Sequence, residues 1–298
     1  MRLGQCKRVI FNVASDVNQN HIFSFAAALS YYFVLAFFPA LIALATIVGY
    51  LPIPNLFNTV VEAMVRVVPP QSGGLVQRVA EDVTSRNHAA LLSFGLLGTL
   101  WTCSSGFATM IEALNVAYNV PETRPAWKTR LLALGLTFLI GFLVALAFTF
   151  IIVGPRFGAF LATQLGLSRE FALLWPILRH VLAAVAIVLA IEGLYFLAPD
   201  LEQSFASSLP GAVFSLIGWM LLSDALSLYF QKFAHLNRTY GVLGGGVALL
   251  VWLYWSSFLV LLGAELNSEL LHLRRDAGLA LQRPAPPEVC SKSATTAD

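Results

Sequence analysis

LLALGLTFLIGFLVALAFTFIIV, residues 131–153, runs for twenty-three positions without a charge or a proline. Wound as an α-helix at about 1.5 Å per residue, it is long enough to cross the roughly 30 Å hydrocarbon core of a bilayer. It is too long and too uniformly apolar for a barrel strand, which alternates faces over about ten residues. Lipid offers no water to backbone N–H and C=O groups, so a segment of this kind satisfies them within itself and is helical.

Five further stretches of the same kind flank it, at 25–50, 89–114, 171–197, 209–230 and 242–266. The whole chain is 58% hydrophobic and 11% charged, against about a quarter charged in a soluble domain. The sequence therefore predicts an all-α, polytopic membrane protein with about six transmembrane helices. They form one transmembrane domain over 23–275, preceded by a cytoplasmic segment 1–22 and followed by a tail 276–298. The tail ends in QRPAPPEVCSKSATTAD, which has no apolar period and is expected to be disordered. Residues 1–22 are interrupted by Lys7, Arg8, Asn12, Asp16, Asn18 and Asn20, which argues against a cleaved leader. Cys6, Ile10, Val13 and Val17 recur there at helical spacing, so the segment is either an amphipathic surface helix or a frayed terminus.

Basic residues set orientation. With the N-terminus inside, ten of the eighteen Lys and Arg fall on the cytoplasmic side, clustered near helix ends. Several of the other eight lie in the long first loop, where they count for less, so the expectation is N-in and C-in in a bacterial inner membrane. That first periplasmic loop, 51–88, carries Phe57, Val60, Val61, Met64 and Val68, then Leu75, Val79 and Val83, at helical spacing around Pro69-Pro70. Two short amphipathic helices joined at the prolines are predicted.

Polar side chains inside a span are costly in hydrocarbon and belong in the bundle interior. Glu192, Asp224, Glu112, Asn115, Glu265 and Asn267 are the candidates, and none is expected to face lipid. Two readings are open for Glu192 and Asp224. They are proton or cation sites, or they hydrogen-bond to Ser, Tyr or Asn on neighbouring helices and fix the packing. Glu112, Asn115, Glu265 and Asn267 fall near the cytoplasmic ends of the second and sixth spans and are expected to form one inner-face cluster or to cap those helices. Pro39, close to the hydroxyls of Ser30, Tyr31 and Tyr32, marks a candidate bend in the first span. Gly241, Gly244, Gly245 and Gly246 mark another at the start of the last. Gly211, Ser215 and Gly218 form a small-residue face on the fifth span that allows close helix approach.

Other chemistries lack their residues. The Gly244–Gly246 run continues into Val247, Ala248 and Leu249 and not into Gly-Lys-Ser/Thr, so it is no phosphate loop. The five histidines and three cysteines are dispersed without metal-ligand spacing. A net charge of +2 with scattered basic residues makes no nucleic-acid footprint. No catalytic, cofactor-binding or metal-binding residue is assigned, and an enzyme is not expected.

The stretches AAALSYYFVLAFFPAL at 26–41 and YGVLGGGVALLVWLYWSSFLVLLGAEL at 240–266 resemble the YihY/BrkB family. Ala113-Leu114-Asn115 followed by Tyr118, Trp127 and Arg130 resemble that family's second-span exit. Pro199 before Pro210-Gly211-Ala212 resembles its fourth connection. The resemblance implies a six-helix bacterial inner-membrane protein of largely uncharacterised activity, with one branch linked to virulence and serum resistance. Some members carry a ribonuclease label, for which this chain offers neither a carboxylate metal site nor a basic groove. It departs from the family at 199–210, which holds Asp200 and Glu202 but no Lys or Arg. The functional expectation is transport or lipid handling across the envelope. A non-transporting scaffold for envelope partners is the alternative, and a tRNA-processing ribonuclease the third. The partners expected are the bilayer, a lipid or ion substrate and a second copy of the chain, with no nucleic acid.

Overall fold

The computed structural model describes residues 3–49, 56–85, 89–165, 169–232 and 242–282, and those residues form ten helices and no strand. In chain order they are α1 Leu3–Gln19, α2 Ile22–Gly49, α3 Leu56–Val67, α4 Pro70–Ser85, α5 Ala89–Ala117, α6 Ala126–Ile152, α7 Gly154–Leu165, α8 Arg169–Leu197, α9 Phe205–Lys232 and α10 Val242–Gln282. Gly241 and the tail 283–298 lie outside the described residues.

Among the described residues five helices are long and apolar enough to cross a membrane, over Ile22–Leu41, Ala126–Ile152, Leu174–Leu197, Phe205–Phe230 and Gly244–Arg274. The remaining long helix, α5, has 29 residues and packs between α2 and α6. Several of its hydroxyls are satisfied inside the helix. Thr102 donates to the Gly98 carbonyl (2.8 Å), Ser104 and Ser105 to that of Trp101 (3.0 and 2.8 Å) and Thr109 to that of Ser105 (3.2 Å).

The six long helices close a ring in chain order, each packing against the next and α10 returning to α2. α5 also touches α10 across the middle, and α1 lies against α10 and α2. The two helices expected around Pro69-Pro70 are α3 and α4, and α4 rests on α10, α2 and α9. There Ser72 donates to the Gly245 carbonyl (2.9 Å). Val61, Val68, Val76 and Ala80 pack with Leu249 and Trp252 at that end. The larger core, at the opposite end, includes Ile22, Leu29, Ile111, Leu114, Leu136, Tyr195 and Leu261.

The chain turns at that second end without glycine. Asn119 takes a left-handed conformation (φ 55°) after α5. Val120 N–H bonds back to the Asn115 carbonyl and Asn119 N–H to that of Val116, both at 3.0 Å, which closes the last turn of the helix. His21, also left-handed (φ 52°), makes the corner between α1 and α2. α2 runs as one helix through Pro39. Tyr31 points outward and Ser30 donates to its own helix at Ala27 (2.8 Å), so these hydroxyls do not gather around a cavity.

The small-residue face of α9 meets α10. A Cβ on Gly263 would stand 2.6 Å from Tyr195 Oη and 2.8 Å from the Gly211 carbonyl, and would overlap Ser215 Oγ. Gly218 faces Leu259 one turn on. Farther along, the Trp219 indole donates to Ser256 and that of Trp252 to Ser223, each at 3.1 Å. Gly263→Val is therefore expected to overpack the α9–α10 seam by about 2 kcal/mol. A thermal melt in detergent should show a clear drop in midpoint, whereas an unchanged melt would mean that the seam opens freely.

Candidate functional site

The end of the bundle that holds α1, the 118–125 connection and the 198–204 connection carries a layer of buried polar side chains. Glu192, Tyr195 and Ser208 are fully buried, and Glu265, Asn267, Asn115 and Tyr118 nearly so. They come from four helices and the α5 exit. What brings them together is that these spans end, or begin, at the same face of the ring.

α8 supplies Glu192 and, one turn on, Tyr195. The Glu192 carboxylate accepts the hydroxyl of Ser208 on α9. Tyr195 donates to the Val260 carbonyl (2.5 Å) and stands 2.8 Å from Ser215 Oγ. On α10, Asn267 binds the backbone of α9 twice. Its Oδ1 accepts Gly211 N–H and its Nδ2 donates to the Ser208 carbonyl, both at 2.7 Å. Pro210 lies between those two residues and lacks the donor a helix needs, so the Asn267 amide supplies hydrogen bonds where the α9 ladder is weakened.

Glu265 and Glu269, one turn apart on α10, hold α1. Asn20 donates to Glu265 Oε1 (2.8 Å) and Asn12 to Glu269 Oε1 (2.7 Å). Asp16, between those asparagines, has its carboxyl pushed up, chiefly by burial and then by the Glu269 charge, with His272 opposing.

Asn115, at the end of α5, ties the two connections together. Its Nδ2 donates to Glu122 Oε2 (2.9 Å) and its Oδ1 accepts Asp200 N–H (2.8 Å). Arg124 completes this clamp. It donates to Glu122 from Nε (2.7 Å) and Nη2 (2.8 Å), and from Nη2 to the Ala198 carbonyl (2.7 Å). Asp200 accepts both the N–H (2.8 Å) and the hydroxyl of Thr123.

Three oxygens in this layer have no hydrogen-bond partner among the described residues: Glu192 Oε2, Glu265 Oε2 and Tyr118 Oη. Tyr118 lies within electrostatic reach of both glutamates and beside Asn267 and Gln203, without a well-formed bond to either side chain. Among the described residues the ion pairs at this end belong to Arg124 at the surface, and no Lys or Arg is among the buried polar residues. Two buried carboxylates thus face a phenol, two amides and a serine.

Four of the six residues singled out from sequence, Glu192, Glu265, Asn115 and Asn267, meet in this layer. Glu112 and Asp224 do not. Both are exposed on the outer surface of the ring, which corrects the expectation that neither faces lipid. Glu112 lies near the end of α5 on the stripe that begins at Trp101 and passes Ser105. Asp224 shares the outward face of α9 with Ile217, Leu221 and Leu228. Both helices are apolar nearly all round, so nothing in the sequence marks which side turns inward. Ser208, Tyr195, Asn12, Asn20 and Glu269 were not singled out. The one-turn spacings of Glu192 with Tyr195 and of Glu265 with Glu269 are the signals that point to two of them.

A family model described as Virulence factor BrkB matches residues 13–288. The chain belongs to that family. Putative ribonuclease-like protein YfkH of Bacillus subtilis is 33% identical over 84% of this chain and 90% of its own. A UPF0761 membrane protein of Rhodospirillum centenum is 25% identical over 90% of this chain, which spans only 59% of that relative. UPF0761 membrane protein YihY of Salmonella typhimurium is 26% identical over 72% of this chain and 71% of its own. No solved structure matches. The matched span includes Asn115, Glu192, Glu265 and Asn267, so the buried layer lies within the part of the chain that the family model covers.

The clamp gives a pH test outside the membrane. Glu122 is held below the usual carboxylate range mainly by its Arg124 hydrogen bond, and Asp200 mainly by the Thr123 hydroxyl. Carboxyls lowered on folding stabilise above their ordinary pKa of about 4, and that contribution is lost as pH falls through the lowered values. Hydrogen-exchange protection of the amides at 119–125 should stay level from neutral pH to about 5 and fall below about 4. Arg124→Gln should lower it at every pH, and protection indifferent to both changes would show that the clamp does not hold the turn.

Proposed function

We propose that this BrkB-family protein is a transport protein of the bacterial inner membrane, with N- and C-termini in the cytoplasm, and that Glu192 and Glu265 are its proton or cation sites. The observation that supports this is the pair of buried carboxylates, each with an unpartnered oxygen and neither with a basic partner. A carboxylate in a membrane bundle is costly, and this one is not neutralised by Lys or Arg, so it takes up a proton or a cation. Ser208 and Asn20 orient the two groups, and Tyr118 stands in reach of both. The proposed orientation places the buried layer near the cytoplasmic mouth, with α1 strapped over Glu265. On this reading the chain is not an enzyme, and the ribonuclease-like name of the Bacillus relative stays with that relative.

Reconstitution of the purified full chain into liposomes tests the proposal. Ion flux and fluorescent-lipid movement are followed under a pH gradient for wild type, Glu192→Gln and Glu265→Gln. Each Gln keeps size and hydrogen-bonding capacity, so the fold should survive, as a matching thermal melt would verify. At least a tenfold loss of flux, or loss of its pH dependence, is expected in each variant. Wild-type flux in both would overturn the assignment.

The second reading, a scaffold without transport, draws on the close approach of α9 and α10 at Gly211 and Gly263, which fills the seam beside Glu192 with backbone. It predicts no flux in wild type and no effect of either Gln variant on function in cells.

A further inference from the structure

Outside the buried layer, the surface between α5 and α6 has a cation, Arg130, that forms no ion pair among the described residues, the exposed Glu112 lying two turns along the α5 stripe from Ser105. Arg130 lies about one turn inside α6, some 6 Å from its first residue. Its guanidinium carbon sits 4.7 Å from the centroid of the Trp101 ring on α5. Both terminal nitrogens reach Ser105 Oγ at 3.3 Å. The Ser105 proton goes to the Trp101 carbonyl (2.8 Å), so its lone pairs are free to accept from Arg130. Of the five guanidinium N–H groups, two are then engaged and three remain. Among the described residues Arg130 has no carboxylate partner, since the ion pairs at this end are those of Arg124 with Glu122 and Asp200.

The surroundings are apolar and outward. Trp101 is 72% exposed, Trp127 65% and Leu131 62%, on a surface the bundle turns toward lipid. Trp127, three residues before Arg130, lies on the same side of α6. Arg130 thus shares one patch with two exposed tryptophans, the side chains that occupy the membrane interface.

From this arrangement we infer that the outward face between α5 and α6 binds the headgroup of an anionic phospholipid, Arg130 taking its phosphate and the two tryptophans its glycerol and upper chains. Arg130 is built for this contact. The Trp101 face and Ser105 fix its plane, so its free N–H fork is presented to a phosphate without ordering a flexible side chain. Charge selects the class of lipid, because a zwitterionic headgroup brings its own cation to the same patch. The inference is independent of Glu192 and Glu265, and neither result below bears on transport.

Native mass spectrometry of the full chain, released from a charge-reducing detergent and titrated with dioleoyl-phosphatidylglycerol or dioleoyl-phosphatidylcholine, reads the site directly. Wild type is expected to retain one phosphatidylglycerol with at least about tenfold preference over phosphatidylcholine. Arg130→Gln should abolish that preference, whereas Arg78→Gln and Lys232→Gln, exposed cations at the other end of the bundle, should keep it. Arg130→Lys with Trp101→Leu keeps the charge and the apolar surface but removes the stacked fork. It should lose the preference several-fold and serves where Arg130→Gln loses its helical circular dichroism. Soluble glycerol 3-phosphate should not displace the lipid. Equal retention of the two lipids by wild type, a preference that survives in the Arg130 variants, or displacement by glycerol 3-phosphate would each overturn the inference. So would dissociation of a dimer by Arg130→Gln with lipid retention unchanged, which would place a protein contact there instead.

Discussion

Asn267 holds α9 by its backbone on either side of Pro210, and much of the buried layer depends on that bond. A polar side chain that leaves water for a bilayer core must find its partners within the protein. An amide, with acceptor and donors side by side, meets that demand at a weakened helix turn better than a hydroxyl does. With α9 held at Ser208 and Gly211, the Ser208 hydroxyl falls opposite Glu192, and the glycines at 211 and 263 let the two helices approach closely enough for the bonds to form. Asn115 does the equivalent for the two connections, bonding Glu122 and Asp200 at once.

The same physics separates the two kinds of charged group at this end. Glu122, Arg124 and Asp200 are near water and neutralise one another. Glu192 and Glu265 are buried and have no basic partner among the described residues. Packing alone requires each polar atom to be satisfied, and the Arg124 clamp comes close to this. The free oxygens of Glu192, Glu265 and Tyr118 depart from it, and departures of that kind concentrate where a protein binds something. Arg130 is the counterpart on the outer surface, a cation whose partners are a ring and a hydroxyl.

Burial also explains the asymmetry of the molecule. The larger core and the polar layer share one end, while α3 and α4 cover the other with a smaller apolar cluster. α1 is drawn to the polar end by Glu265 and Glu269, so a segment that on pattern alone reads equally as surface helix or frayed terminus acquires two anchors.

Composition and block length by themselves determined that this chain is an α-helical membrane protein. Residues 131–153 admit no other solution in lipid, and the prolines at 69 and 70 divide the first loop into its two helices. The patterns at 26–41 and 240–266 were enough to name the family. The inward face of each span was settled only by tertiary structure, because a helix apolar on every side has no period from which its rotation can be read. Hence Glu192 and Asp224, alike as acids in apolar runs, end on opposite faces, one against Ser208 and the other on the outer surface. Long-range pairings such as Asn20 with Glu265, or Arg130 with Trp101, depend on which helices close the ring. That is decided by packing across the whole bundle and leaves no local mark in the sequence.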